Sequence, residues 1–183
     1  MIVTATPIKD CMVVEPTIYY DDRGYFFESF NEPVFVEKTG ISVRFIQDNQ
    51  SKSSIGVLRG LHYQRGEYQQ AKLVRVLEGE VLDVVVDLRK DSVTYKEVFT
   101  TVLSADNFKQ VFIPRGCAHG FLVRSEEAIF AYKCDNVYNK ASEGGIIYND
   151  PSLQIDWDFD LDKVIVSEKD KVLPLFENAL ELW

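Results

Sequence analysis

Apolar residues in this chain come in short runs, separated by turn-forming residues. One run covers 24–30, directly after the turn sequence Asp21-Asp22-Arg23-Gly24, and others cover 43–47, 98–103, 111–113, 120–123 and 128–134. Two more, 72–77 and 81–88, flank Glu78-Gly79 and predict a hairpin. Many short strands at such spacing indicate a sandwich or barrel. Helical signals are confined to two places. Asn31 is placed to cap a short helix from Glu32 to Thr39, with Gly40 as its left-handed stop. After Pro174, the residues Leu175, Phe176, Leu180 and Trp183 share one helical face and predict a second short helix. The expected fold class is mainly β, with helical trim.

Composition narrows the function classes. A length of 183 residues fits one domain, 1–183, and is enough to bury a full core. Hydrophobic residues at 46% and aromatics at 13% exclude a disordered chain. The net charge of −9 argues against general nucleic-acid binding, whose footprint is basic. It leaves room for a small anionic ligand held by a few arginines. Residues 1–9 lack the basic-then-apolar order of a signal peptide, and no apolar run approaches the roughly 18 residues of a membrane helix. No membrane partner is expected, and the cytoplasm is the expected compartment. Cys11, Cys117 and Cys134 are an odd number without CxxC spacing and read as reduced thiols in or near the core. Asn49-Gln50-Ser51 fits a glycosylation pattern but, without a secretion signal, reads as coincidence.

The two histidines sit in informative settings. His62 lies in Gly56-Val57-Leu58-Arg59-Gly60-Leu61-His62-Tyr63-Gln64, and His119 in Pro114-Arg115-Gly116-Cys117-Ala118-His119-Gly120-Phe121. Glycines beside a histidine in a strand suggest close backbone approach or a bulge near a ligand. Arg59 and His62 are three apart, so on an unbroken strand they face opposite ways; both serve one site only if Gly60 marks a bulge or the strand bends, which is the expectation. Lys72 opens a strand on which it shares a face with Val74 and Val76, an apolar setting that is costly for a charge without a partner. The spacing around the histidines resembles the two motifs of the cupin superfamily. Metal-binding cupins have a second histidine where this chain has Gln64, and His62, His119 and Glu67 make a poor ligand set. Neither a metal nor another cofactor is expected.

Seven motifs in register carry a more specific resemblance. The run Asp22 to Glu28, then GVLRGLHYQ, QAKLVRV, DVVVDLR, FIPRGCAHGF, AYKCDNVY and SEKD together resemble the dTDP-4-dehydrorhamnose 3,5-epimerase family, over about residues 8 to 175. Departures are Cys117, where an aromatic is common, and Lys96-Glu97, where glycine is frequent. The resemblance implies a cupin-like jelly roll and epimerisation of a dTDP-4-keto-6-deoxyhexose. It implies His62 as the base that removes a proton next to the ketone, and Asp170 as the carboxylate that fixes its tautomer. By itself Asp170 reads as a surface or turn carboxylate. Lys72 would hold the enolate oxygen. Tyr132, by itself a core tyrosine, would return a proton on the opposite face. Arg23 and Arg59 match pyrophosphate contacts; Phe26, Glu28, Gln47, Asn49 and Tyr138 match positions around the nucleoside; His119, Glu143 and Lys169 match further ligand contacts. It also implies a homodimer in which the segment near Arg23 and Glu28 enters the neighbour's site. Competing expectations are a single-centre epimerase, a non-catalytic sugar-nucleotide-binding cupin and a metal-dependent cupin enzyme.

Overall fold

The computed structural model describes residues 1–179 and Glu181. In chain order the strands are β1 Ile2–Ala5, β2 Met12–Glu15, β3 Tyr19–Asp21, β4 Gly24–Phe26, β5 Gln47–Ser54, β6 Val57–Gln64 and β7 Lys72–Glu78. They continue as β8 Glu80–Asp87, β9 Val98–Ser104, β10 Gln110–Ile113, β11 Cys117–Val123, β12 Glu127–Cys134, β13 Glu143–Gly145 and β14 Ile165–Val166. The helix α1 is Glu32–Thr39. One sheet has the order β1-β2-β10-β7-β12-β5 and a second the order β13-β6-β11-β8-β9, with β14 parallel beside β6. The strands β3 and β4 form a separate ribbon. The architecture is the expected mainly-β, cupin-like jelly roll.

Period-two alternation distributes the side chains into layers. Along β8, Val81 and Val85 pack between the sheets with Val74, Val111, Phe121 and Phe130. Leu82, Val84 and Val86 point the other way, into a layer with Leu58, Leu61, Trp157 and Phe176. Both faces of β8 are therefore buried, which is why 81–88 reads as one nearly unbroken apolar run. The outer face of the first sheet is covered by α1, whose Phe35 joins Val14, Leu73 and Phe112. Full burial of that phenylalanine contributes on the order of 2 kcal/mol. The helix has the expected ends: Val34 N–H donates to Asn31 Oδ1 at 3.4 Å, and Gly40 takes the left-handed turn. The three cysteines are free and buried, and burial pushes the Cys11 thiol up to about 12.

Several expectations need correction. The segments 72–77 and 81–88 are not a hairpin: β7 pairs with β10 and β12, and β8 with β11 and β9, in different sheets. The chain crosses between sheets at Gly79, where a Cβ would lie 2.0 Å from the Glu127 carbonyl oxygen and φ is +76°. Two strands joined by a short turn need not pair when each has an apolar face to bury elsewhere. The run 43–47 is not a strand; Val43 is buried under α1, and the strand begins at Gln47 and continues to Ser54. The run 24–30 keeps its strand only over Gly24–Phe26. In the tail, Phe176–Asn178 form a 3₁₀ turn and Ala179 is already extended (φ −66°, ψ 145°), while Leu180 and Trp183 lie outside the described residues. Lys96 takes a left-handed conformation, with φ +71°.

Candidate active site

Between the sheets, apolar packing gives way to a cavity of ≈ 530 Å³ whose lining includes Arg59, His62, Lys72, His119, Tyr132 and Asp170. The alternation that fills the core with Val74, Val76, Phe121 and Phe130 also aims Lys72, His119 and Tyr132 inward, because they occupy the same faces of β7, β11 and β12. Strand β6 supplies both Arg59 and His62 through an irregularity. His62 pairs with His119, but Arg59 pairs with Phe121, so the register shifts between them. Leu58 and Leu61 consequently both join the outer layer, and Arg59 and His62 both line the cavity. Gly60 stands at the shift with φ +123°, and a Cβ there would meet Gly120 Cα at 2.6 Å. The expected bulge is present.

His62 Nε2 lies 2.7 Å from Asp170 Oδ1, with the His62 side chain 32% exposed and the Asp170 side chain 5%. Asp170 opens the 3₁₀ turn Asp170–Val172, and its Oδ2 accepts the Gly60 N–H at 3.3 Å. Burial alone would push the Asp170 carboxyl up. The bonds from His62, Gly60 N–H and Ser167 outweigh it and hold the group below the ordinary range. Asp170 is thus an ionised partner that orients the ring. Burial pushes the Lys72 ammonium down, opposed by Cys134 and Asp83. Lys72 Nζ stands 5.9 Å from the Tyr132 ring centroid. Burial pushes the Tyr132 phenol up, so it keeps its proton at neutral pH. His119 Nε2 lies 2.7 Å from Asp83 Oδ2, and the ring stacks on Phe130 at 5.8 Å between centroids.

A smaller recess, ≈ 160 Å³, is lined by His62, Lys72 and Tyr132 together with Gln47, Asn49, Tyr138 and Glu143. Polar contacts link these last four. Tyr138 N–H donates to Gln47 Oε1 at 3.2 Å, Gln47 Nε2 to Asn49 Oδ1 at 3.0 Å, and the Tyr138 hydroxyl to Glu143 Oε2 at 3.1 Å. Lys169 pairs with Glu143. Arg59 donates from Nε and Nη2 to Ser53 Oγ at 3.2 and 3.1 Å. Three expected residues stay apart. Arg23 lies on the β3–β4 ribbon, 90% exposed and paired with Asp21 at 2.5 Å. Phe26 is 66% exposed, and Glu28 accepts from Asn31 Nδ2 at 2.9 Å. None of these three lines either cavity of this chain.

Other residues take part without having been expected: Gln50 and Ser51 from β5, Ser167 below the dyad, and Asp83 behind His119. The strand β5, QDNQSKSS, gives no hydrophobic signal, although its partly buried and exposed positions alternate strictly. Among the described residues, no three of His, Cys, Asp and Glu converge on one point, and each histidine is bonded to a single aspartate. Gln64, at the position of a second cupin histidine, accepts the Asn139 N–H at 2.8 Å and ties down that loop.

Comparison with known proteins places nearly the whole chain and its fold. The family model described as dTDP-4-dehydrorhamnose 3,5-epimerase matches residues 5–178. A dTDP-4-dehydrorhamnose 3,5-epimerase of Salmonella typhimurium is 49% identical over 180 residues, spanning 98% of each chain. The crystal structure of a dTDP-4-dehydrorhamnose 3,5-epimerase from Elizabethkingia anophelis superposes with a TM-score of 0.94 at 54% identity, over 97% of each chain. A dTDP-6-deoxy-D-glucose-3,5-epimerase from Legionella pneumophila, solved with dTDP-4-keto-L-rhamnose, superposes at 0.92 with 47% identity, over 96% of this chain and 93% of that one.

Proposed function

Because this chain belongs to the dTDP-4-dehydrorhamnose 3,5-epimerase family, we propose that the cavity between its sheets is where a dTDP-4-keto-6-deoxyhexose is epimerised. The protein is an isomerase that converts dTDP-4-dehydro-6-deoxy-D-glucose to dTDP-4-dehydro-L-rhamnose. The carbons on either side of the ketone carry acidic protons. Inversion of each requires a base on one face of the ring, a stabiliser for the enolate oxygen and an acid on the other face.

One observation carries the assignment: His62 and Tyr132 stand on different sheets and line the same cavity. A sugar ring held between them has the imidazole on one face and the phenol on the other. His62 takes the carbon-bound proton, and Asp170 stabilises the imidazolium that forms. Lys72 meets the negative charge that develops on the carbon-4 oxygen, inside a site where a fixed cation lowers the barrier by several kcal/mol. Tyr132 then delivers a proton from the other side, which inverts the centre. The recess lined by Gln47, Asn49, Tyr138 and Glu143, with Lys169 paired to Glu143 and Arg59 on the larger cavity, serves the nucleotide end.

The separation of Arg23, Phe26 and Glu28 from this cavity supports a homodimer with shared sites. The ribbon exposes Tyr19, Tyr20, Tyr25 and Phe26 to 62%, 71%, 58% and 66%, a concentration of apolar surface suited to a partner. In that arrangement Arg23 joins Arg59 at the pyrophosphate of the neighbouring chain. Residues 1–183 act as one catalytic domain without metal or other cofactor. A nucleotide-linked substrate fits a cytoplasmic enzyme, and no helix among the described residues is long and apolar enough to cross a membrane.

Incubation with the dTDP-4-keto sugar in heavy water tests the assignment. The expected result is deuterium at carbons 3 and 5, unaffected by chelator. Label at one carbon only would make the enzyme a single-centre epimerase, and no label would leave a binding module. For the shared site, Arg23→Ala and His62→Ala proteins are each expected to be inactive and to regain part of the activity when their subunits are exchanged. No recovery on mixing overturns the shared site.

A further inference from the structure

Asp83 has no part in the scheme above, yet it sits inside the barrel. It lies on the inward face of β8 with Val81 and Val85, where apolar side chains are the rule. Its side chain is fully buried. One oxygen, Oδ2, is 2.7 Å from His119 Nε2, while Oδ1 is buried with no hydrogen-bond partner among the described residues. A carboxylate half-bonded in this way is costly unless positive charge lies close by. Lys72, on the facing sheet, is a cation that Asp83 stabilises against its own desolvation.

We propose that Asp83 is a positioning residue of the epimerase site, which orients His119 into the cavity and supplies the counter-charge for Lys72. An ionised carboxylate accepts only, so the contact puts the proton on His119 Nε2 and leaves Nδ1 as the ring nitrogen free to address the sugar. The Phe130 ring stacked on His119 holds its plane. The site then contains two histidine–aspartate pairs on neighbouring strands, since His62 and His119 are register partners on β6 and β11. In the proposed scheme the His62–Asp170 pair reacts; in the second pair His119 lines the cavity and Asp83 is fully buried behind it. The titratable groups that share a cavity with Lys72 include Tyr132, His62, His119, Asp170, Arg59 and Lys169 in the larger one and Tyr138 and Glu143 in the recess, while Asp83 on β8 and Cys134 on β12 act on its charge from behind. Burial pushes the Cys134 thiol up to about 11, so Cys134 is a neutral neighbour of Lys72 at neutral pH.

This role depends on the cavity being the epimerase site, and the two are separable. Wild-type exchange at carbons 3 and 5 tests the cavity; Asp83→Asn tests Asp83. The variant is expected to lower kcat for exchange by about 10- to 100-fold, the usual scale for a residue that orients a site group, with KM changed less than about threefold. Loss of a negative neighbour lowers a lysine pKa, so the alkaline limb of the kcat profile should move to lower pH. In nitrogen-15 histidine spectra, the His119 signals should lose the pattern of a single Nε2–H tautomer. If Asp83→Asn does not fold, Asp83→Ser, which leaves space for water, is measured the same way. A kcat within twofold of wild type, or a change confined to thermal stability or KM with unaltered His119 signals, overturns the role.

Discussion

Asp170→Asn removes the negative charge beside His62 while keeping the side-chain volume, so it isolates what the charge does. In the resting structure His62 Nε2 and Asp170 Oδ1 are 2.7 Å apart, which puts the charge centres of an imidazolium–carboxylate pair about 4 Å apart. At an effective dielectric of about 20 the two attract by about 4 kcal/mol. The His62 side chain is 32% exposed, so solvent screening takes away roughly half and leaves about 2 kcal/mol. In the proposed mechanism this attraction exists once His62 has taken the proton from carbon, so its loss raises the barrier by about 2 kcal/mol, or about 30-fold in rate. An asparagine that turns its amide N–H toward the ring also favours the wrong tautomer, which extends the expected loss to about 1,000-fold. The assay is deuterium incorporation at carbons 3 and 5 under saturating substrate, so that kcat is read apart from binding. A kcat within threefold of wild type, in a protein whose unfolding is native-like, would refute the electrostatic role of Asp170.

Other outcomes follow from the same geometry. Tyr132→Phe keeps the base but loses the proton donor on the opposite sheet; exchange should continue while product formation falls by about 100-fold or more, and normal turnover removes Tyr132 as the acid. Gly60→Ala places a Cβ 2.6 Å from Gly120 Cα at a φ of +123°, and is expected to cost at least about 3 kcal/mol in thermal unfolding and to abolish exchange by closing the bulge. Burial would raise the Asp87 carboxyl, but bonds from Arg89, Thr94 and Ser92 hold it below the ordinary range, so its stabilising contribution is present above the unfolded value of about 3.9 and lost as pH falls through the folded one. Asp87→Asn should therefore destabilise by about 3 kcal/mol at pH 7, with the gap to wild type shrinking below about pH 4; a gap independent of pH contradicts this account.

The cavity side chains were more legible than the path of the chain. Lys72 on an apolar strand face, two histidines flanked by glycines, and the odd spacing of Arg59 and His62 each signalled a site or a bulge, because charge and parity are local properties. The pairing of strands was not local. Nothing near Glu78-Gly79 distinguishes a hairpin from a crossing between sheets; the burial of β7 and β8 against different partners decides it. The strand β5 has no hydrophobic signal because its inward face meets a cavity rather than the apolar core, so its alternation is polar against polar. Asp83 escaped for the converse reason: it interrupts an apolar run by one residue, and its purpose is visible only once β11 is laid beside β8.

Sequence alone therefore determined the strand-rich class, the capped helix Glu32–Thr39, the need for a bulge at Gly60 and, through motif resemblance, the reaction and its candidate residues. Tertiary structure decided which strands face each other, and with that the placement of His62 and Tyr132 on opposite walls, the closed pair of His119 and Asp83, and the isolation of Arg23, Phe26 and Glu28 from their own chain's cavity. The physical reason is distance along the chain. Propensity, capping and parity act over a few residues, whereas a site assembled from 62, 72, 119, 132 and 170 exists only when long-range burial brings five segments to one cavity.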